Sequence, residues 1–192
     1  MARSVECVVI RHAQSRPDPD LTQDDWPLSE AGRAQAEALR ETLGGHGIER
    51  IYSSPYPRAV DTVRPLATAL GLSIETRHDL RERRLATMDV ENWREALEKT
   101  WADFDYALPG GESSNACQER VRGCVLGILR GNDAARIAIC SHGNAIALLL
   151  NSIDSSFHFA EWAAMGNPHL YHLSWESGLL RRRSAVTKQP AR

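Results

Sequence analysis

The chain has 192 residues, 42% hydrophobic and 25% charged, enough apolar material for one domain of ordinary size with a substantial core. A formal charge of -2 and an isoelectric point near 6.4 give no global attraction to nucleic acid or to an anionic membrane surface, so any preference for anions has to be local. The first apolar run, 8–10, is too short for a signal-peptide core, and the longest later one, 145–150, is far short of a bilayer span; a soluble, cytoplasmic protein is expected.

In chain order, 5–10 reads as a buried strand that stops on Arg11 and His12, where a strand normally closes on Gly, Asn or Asp. A helical pattern covers 29–43, with Ser29 as N-cap and Gly44 as its stop. A second strand, 48–52, runs into SSPYPR (53–58). Val60, Val63, Leu66 and Leu70 then recur at helical spacing over 57–70, where Pro65 is expected to bend the helix or shift its start. An edge strand is expected just before HDLRERRLA (78–86). Trp93, Leu97, Trp101 and Phe104 mark a third helix in a segment, 85–110, expected to cap the site, and a fourth helix covers 113–129. A third strand, 136–140, leads through SHGN (141–144) into a helix over 143–153. A hairpin pairs 170–175 with 179–184, turning at Glu176, Ser177 and Gly178. One domain over 1–184 results, with 185–192 expected to be a disordered tail.

Strands alternating with helices predict a three-layer α/β/α sandwich around a largely parallel sheet. In such sheets ligands sit beyond the carboxyl ends of the strands. That rule gathers Arg11 and His12, the 53–58 cluster and the 141–144 cluster at one place. Cys7, Cys117, Cys124 and Cys140 show no C-x-x-C spacing, and buried or partly buried reduced thiols are expected instead of zinc ligands or a redox pair.

Two guanidiniums beside two imidazoles repel unless an anion holds them, and a phosphoryl group is the natural one. The helix starting near Gly143 is expected to aim its first amides at the same anion. One imidazole serves as nucleophile through an unprotonated nitrogen; the other, cationic, stabilises charge on the transferring group. A leaving alkoxide needs a proton, and Glu82 is the candidate general acid, its carboxylate then activating water. Glu75, Asp79 and Glu112 compete for that role. Arg81, Arg83 and Arg84 read equally as leaving-group contacts or as a solvated face.

These residues resemble the histidine phosphatase superfamily, also called phosphoglycerate mutase-like. RHAQS (11–15) is similar to its R-H-G-x-S/T signature, with Ala13 where glycine is usual. PLSEAGRAQAEAL (27–39), IYSSPYPRAVDT (51–62), LRE (80–82), GGES (110–113) and SHGNAI (141–146) follow in the family's order. The resemblance implies a phosphoglycerate mutase-like fold, His12 as phosphorylated nucleophile, Arg11, Arg58 and His142 as phosphate pocket, and Glu82 as proton donor. Gly143, Ser15 and Arg83 are added as substrate contacts. Asp18 stands near where the mutases carry asparagine, Ala86 where a glycine often follows the acid segment, and the mutases' long insertion before the distal histidine is missing.

The expected activity is therefore a metal-independent phosphomonoesterase, with no cofactor, acting on a small phosphorylated metabolite. The alternatives are a cofactor-dependent phosphoglycerate mutase and a non-catalytic phospho-ligand binding module. Neither nucleic acid nor membrane is an expected partner; RRRSAVTKQPAR (181–192) reads as a basic strand end and solvated tail. Trp93 and Trp101 are expected to pack their helix, and His46, His78, His158, His169 and His172 receive no role. Physiological substrate and oligomeric state are not legible.

Overall fold

Alternation of apolar residues to two faces governs β1 (Ser4–Arg11), the central element of the computed structural model, which describes residues 4–86 and 91–183. Val5, Cys7 and Val9 enter one core, Val8 and Ile10 the other, so both faces of the strand are covered. The remaining strands are β2 (Arg50–Ser53), β3 (Ile74–Thr76), β4 (Arg136–Ser141), β5 (His169–Glu176) and β6 (Leu179–Arg183). They form one six-stranded sheet in the order β3-β2-β4-β1-β5-β6. The first four in that order are parallel, and β5 and β6 close the far side antiparallel.

Two helices cover one face: α1 (Glu30–Leu43) and α2 (Pro57–Leu70). Ser29 caps α1, its side chain accepting from the Gly32 amide. Gly32 has no alternative there, since a Cβ would fall 2.0 Å from the Gln14 carbonyl oxygen. That contact docks α1 against the loop after β1. Pro65 sits inside α2 without ending it. Its lost hydrogen bond is outweighed by the burial of Ala59, Val63, Leu66 and Ala67 against the sheet.

The other face carries α3 (Trp93–Ala102), α4 (Ser114–Gly131), α5 (Gly143–Asn151) and the short α6 (Phe159–Ala163). The last is absent from the sequence reading, since five residues carry too little periodicity to register. Phe104 lies beyond the end of α3 and packs against the core from the loop. All four cysteines are free thiols, three of them buried. The expected tail, 185–192, lies outside the described residues, as does 87–90 of the expected cap. Among the described residues no helix is long and apolar enough to cross a membrane.

Candidate active site

Parallel registry sets the site. β1 and β4 end level, Arg11 beside Ser141, and β2 ends one residue short of β4, Ser53 beside Cys140. The residues that step off these strands therefore meet. The His12 amide donates to the Ser141 carbonyl at 3.0 Å and the Ser54 amide to the Cys140 carbonyl at 2.9 Å. His12 and His142 come into edge contact, ring centroids 5.1 Å apart.

His12 is buried, and its Nδ1 lies 2.7 Å from the Ala13 carbonyl oxygen. A carbonyl only accepts, so Nδ1 carries the hydrogen and Nε2 keeps its lone pair. Burial lowers the imidazole pKa to about 3; the nearby Arg58 and Arg11 charges lower it too, against the Ala13 bond, which raises it. At neutral pH His12 is therefore an uncharged base with a free Nε2. Its own carbonyl accepts from Asn167 Nδ2 at 2.7 Å, and the Ala13 amide donates to Thr62 Oγ1 at 2.9 Å, so the backbone on both sides is held. The Ala13 methyl packs with Leu28 and Ala36 in a small apolar cluster.

His142 departs from expectation in its charge. Burial first, then the proximity of His12, Arg58 and Arg11, hold its pKa well below the usual value, so the second imidazole is neutral, not cationic. Its Nε2 is 2.7 Å from Ser54 Oγ, whose oxygen accepts from the Tyr56 amide at 3.3 Å; when the Ser54 hydroxyl donates to Nε2, the hydrogen of the neutral ring sits on Nδ1. Its Nδ1 is buried without a protein partner. Tyr56 makes an edge contact with the same ring at 5.1 Å and stacks under the Arg58 guanidinium at 5.0 Å. Arg58, in the first turn of α2, donates to the carbonyls of Gln23 (2.6 Å) and Asp24 (3.3 Å), which fastens the 3₁₀ turn Gln23–Asp25 over the site.

Arg11 turns its NH1 to the Met165 and Gly166 carbonyls. Its Nε is buried without a partner. Gly143 permits this packing: a Cβ there would stand 3.2 Å from Trp162 Nε1 and 3.3 Å from the Arg11 guanidinium. Trp162 belongs to α6, whose five residues carry too little periodicity to mark it along the chain.

Glu82 corrects a second expectation. Its Oε1 accepts from the amides of Arg83 (2.8 Å) and Ala145 (3.1 Å), and its Oε2 from the Asn144 amide at 3.3 Å. Two of the N-terminal amides of α5 that were expected to face phosphate are thus occupied by this carboxylate. The competing acids are engaged elsewhere. Glu112 takes a two-pronged bond from Arg120 (2.7 and 2.6 Å), and although burial pushes its pKa up, Arg120 outweighs this and holds it low. Glu75 pairs with Arg77, and Asp79 with Arg81.

The three arginines of the acid segment divide. Arg81 lies in a half-exposed network with Asp79 and, at 3.8 Å, Glu112. Arg83 is only 4% exposed and donates to the Glu112 carbonyl (2.9 Å), Thr100 Oγ1 (3.0 Å) and Ser114 Oγ (2.9 Å). It thus joins the acid segment to α3 and α4 and also lines the cavity wall. Arg84 reaches the cavity with its guanidinium largely exposed, 3.9 Å from Asp24.

A cavity of about 500 Å³ opens beside these groups, with Tyr56, Arg58, Glu82, Asn144 and Trp162 in its walls. Ser15, like Arg11, His12 and His142, is not among its lining residues; the Ser15 backbone forms a bridge to Leu28. Asp18 is likewise outside it, pairing with Arg16 at 3.3 Å. Trp101 packs as expected, whereas Trp93 lines the cavity and is 47% exposed. Among the described residues no group of three or more His, Cys, Asp or Glu is placed to hold a metal ion. Ser54 and Tyr56 were within reach of the sequence, lying in the quoted 53–58 cluster, but their contacts with His142 depend on strand register.

A family model described as the histidine phosphatase superfamily (branch 1) matches residues 7–185. A probable phosphoglycerate mutase GpmB of Salmonella paratyphi B is 28% identical over 162 residues, covering 78% of this chain and 74% of that protein. Among solved structures, a mycobacterial glucosyl-3-phosphoglycerate phosphatase is similar with a TM-score of 0.77 and 28% identity, over 94% of this chain and 97% of that one. A phosphoglycerate mutase from Bacillus anthracis shares the fold at a TM-score of 0.76 and 19% identity, over 96% of this chain and 93% of that one.

Proposed function

Because the chain belongs to the histidine phosphatase superfamily, we propose that it is a metal-independent phosphomonoesterase that hydrolyses a small phosphorylated metabolite through a phosphohistidine on His12. The observation that carries this reading is the neutral His12 imidazole, its Nδ1 hydrogen committed to Ala13 and its Nε2 free, in a cluster of buried cationic and hydrogen-bonding groups. The Nε2 lone pair attacks phosphorus and the P–O bond to the alcohol breaks, the alcohol oxygen taking a proton from Glu82. Arg11, Arg58 and the unpartnered Nδ1 of His142 meet the phosphoryl oxygens. Water then attacks phosphorus, losing a proton to the Glu82 carboxylate; the P–N bond breaks and inorganic phosphate leaves with His12 restored. Charge on phosphate is met by guanidiniums and imidazole, which is the basis for metal independence.

Rapid quenching with ³²P-labelled substrate, kept out of acid, tests this directly. Alkali-stable, acid-labile label is expected on the peptide that contains His12, and His12→Ala should lose nearly all turnover. Label on serine or cysteine, or His12→Ala within tenfold of the parent, would overturn the mechanism.

The name of the Salmonella relative raises the mutase reading, which needs the same phosphoenzyme but returns the group to a bound acceptor. Chain length does not separate the two readings, since this chain also covers 93% of the Bacillus anthracis mutase; the phosphatase named among the solved structures at 28% identity supports the hydrolase. With 3-phosphoglycerate and a bisphosphoglycerate primer, phosphate release is expected; efficient isomerisation without release would favour the mutase. A binding module needs no general acid, so Glu82 speaks against that reading.

A further inference from the structure

Trp93 and Trp101 lie on one helix, yet their surroundings are opposite: Trp101 is 1% exposed in the core and Trp93 47% exposed at the cavity. Trp93 opens α3, and Leu97, one turn on, faces the same cavity from its wall. With Leu85 they make an apolar side. Among the described residues no aromatic ring or cation stacks on the Trp93 indole, in contrast to Trp101 with Phe104 and His158. A half-exposed indole at the mouth of a cavity is a large apolar face available to whatever occupies that cavity.

The rest of the cavity has a different character. Thr22, whose hydroxyl donates to Asp25 at 2.7 Å, and Gln23 add uncharged polar groups, and Asp24 and Arg84 offset each other at 3.9 Å, so these four rim residues together carry no net charge. At about 500 Å³ the space is many times what a phosphoryl group needs and lies in the range of sites that enclose sizeable ligands. An acyclic leaving group would leave the indole face bare. A purely aromatic one would leave the hydroxyl and amide groups of the rim unmatched, and a second anion would meet Asp24 as well as Arg84.

We propose that Trp93 is a specificity-determining platform and that the leaving group is an uncharged carbohydrate-type ring, its C–H face on the indole and its hydroxyls on the neutral rim. This rests on the phosphomonoesterase reading of the same cavity, but its test does not require turnover. In a His12→Ala background, calorimetric titration compares a hexose 6-phosphate, glycerol 3-phosphate and phenyl phosphate. The hexose ester is expected to bind about five- to tenfold more tightly than the glycerol ester, the scale of one good ring contact. Adding Trp93→Ala should remove that preference while the glycerol ester stays within twofold; Trp93→Phe should keep most of it. A hexose-to-glycerol ratio unmoved by Trp93→Ala, or phenyl phosphate binding as tightly as the hexose ester, would overturn the proposal. If the wild-type enzyme releases phosphate from none of the three, the hydrolase reading fails while the titrations still decide the role of Trp93.

Discussion

Replacing Glu82 with glutamine separates a proton donor from a structural clamp. The carboxylate accepts three backbone amides, two at Oε1 and one at Oε2. A carboxamide can keep its oxygen where Oε1 stands, at 2.8 and 3.1 Å from the Arg83 and Ala145 amides. Its NH₂ then faces the Asn144 N–H, donor against donor. Loss of that one bond to a charged acceptor should cost about 1.5–3 kcal/mol of stability, so the variant folds and its melting point falls. Chemistry should suffer more: with no proton to give, hydrolysis of an alkyl ester is expected to slow by about 10² to 10⁴, or about 2.7–5.4 kcal/mol of barrier. A nitrophenyl ester needs little help to leave, so its phosphorylation step should escape, and phosphohistidine should accumulate because no carboxylate activates water. Initial rates of phosphate release on both esters, quench trapping of the phosphoenzyme and a melting curve on the same preparation provide the measurement. Equal loss on both esters with no trapped phosphoenzyme would refute the acid–base role and leave Glu82 as the residue that orients α5. Glu112 cannot substitute, since Arg120 holds both of its oxygens.

Gly143→Ala places a methyl 3.3 Å from the Arg11 guanidinium and 3.2 Å from Trp162 Nε1, so Arg11 must shift; a fall in kcat/KM of about tenfold is expected, and unchanged kinetics would show that Arg11 adapts freely. Arg83→Met strips donors from the Glu112 carbonyl, Thr100 and Ser114, which should lower stability by about 1–3 kcal/mol in urea unfolding while kcat per folded molecule stays within a few-fold. Unchanged stability with a tenfold higher KM would return Arg83 to the substrate. Acid should destabilise the protein early: His12 is lowered to about 3 and His142 is also lowered, mainly by burial. The unfolded chain, titrating near 6.5, takes up protons first, and stability is lost as pH falls from about 6.5 toward the folded values, at about 1.4 kcal/mol per pH unit per histidine. Urea midpoints at pH 7.5, 6 and 5 measure this, His12→Gln should flatten the slope, and constant stability across that range would contradict the buried neutral imidazoles.

The amino-acid sequence by itself determined where the chain changes direction and what it carries at those points. The strand-to-loop steps at Arg11–His12, 53–58 and 141–144 stand out because apolar runs end there in polar groups, and α2 is legible to its bounds because helical period and the residues at its ends are local properties. Parallel alternation then implied that these steps share one end of the sheet, and the observed registry of β2, β4 and β1 brings them together. What each side chain does there was decided by tertiary packing. Arg81, Arg83 and Arg84 are adjacent and chemically alike, yet only Arg83 is sealed, because α3 and α4 close over it from 17 to 31 residues further along the chain. Trp93 and Trp101 share a helix, but only the second meets the core. Glu82 holds the start of α5 from 62 and 63 residues away, and His142 is neutral because burial and the charges around it outweigh its intrinsic basicity. Periodicity and capping act over a few residues and can be read along the chain; desolvation and electrostatic neighbourhood depend on which distant surfaces cover a group, and those exist only once the layers have stacked.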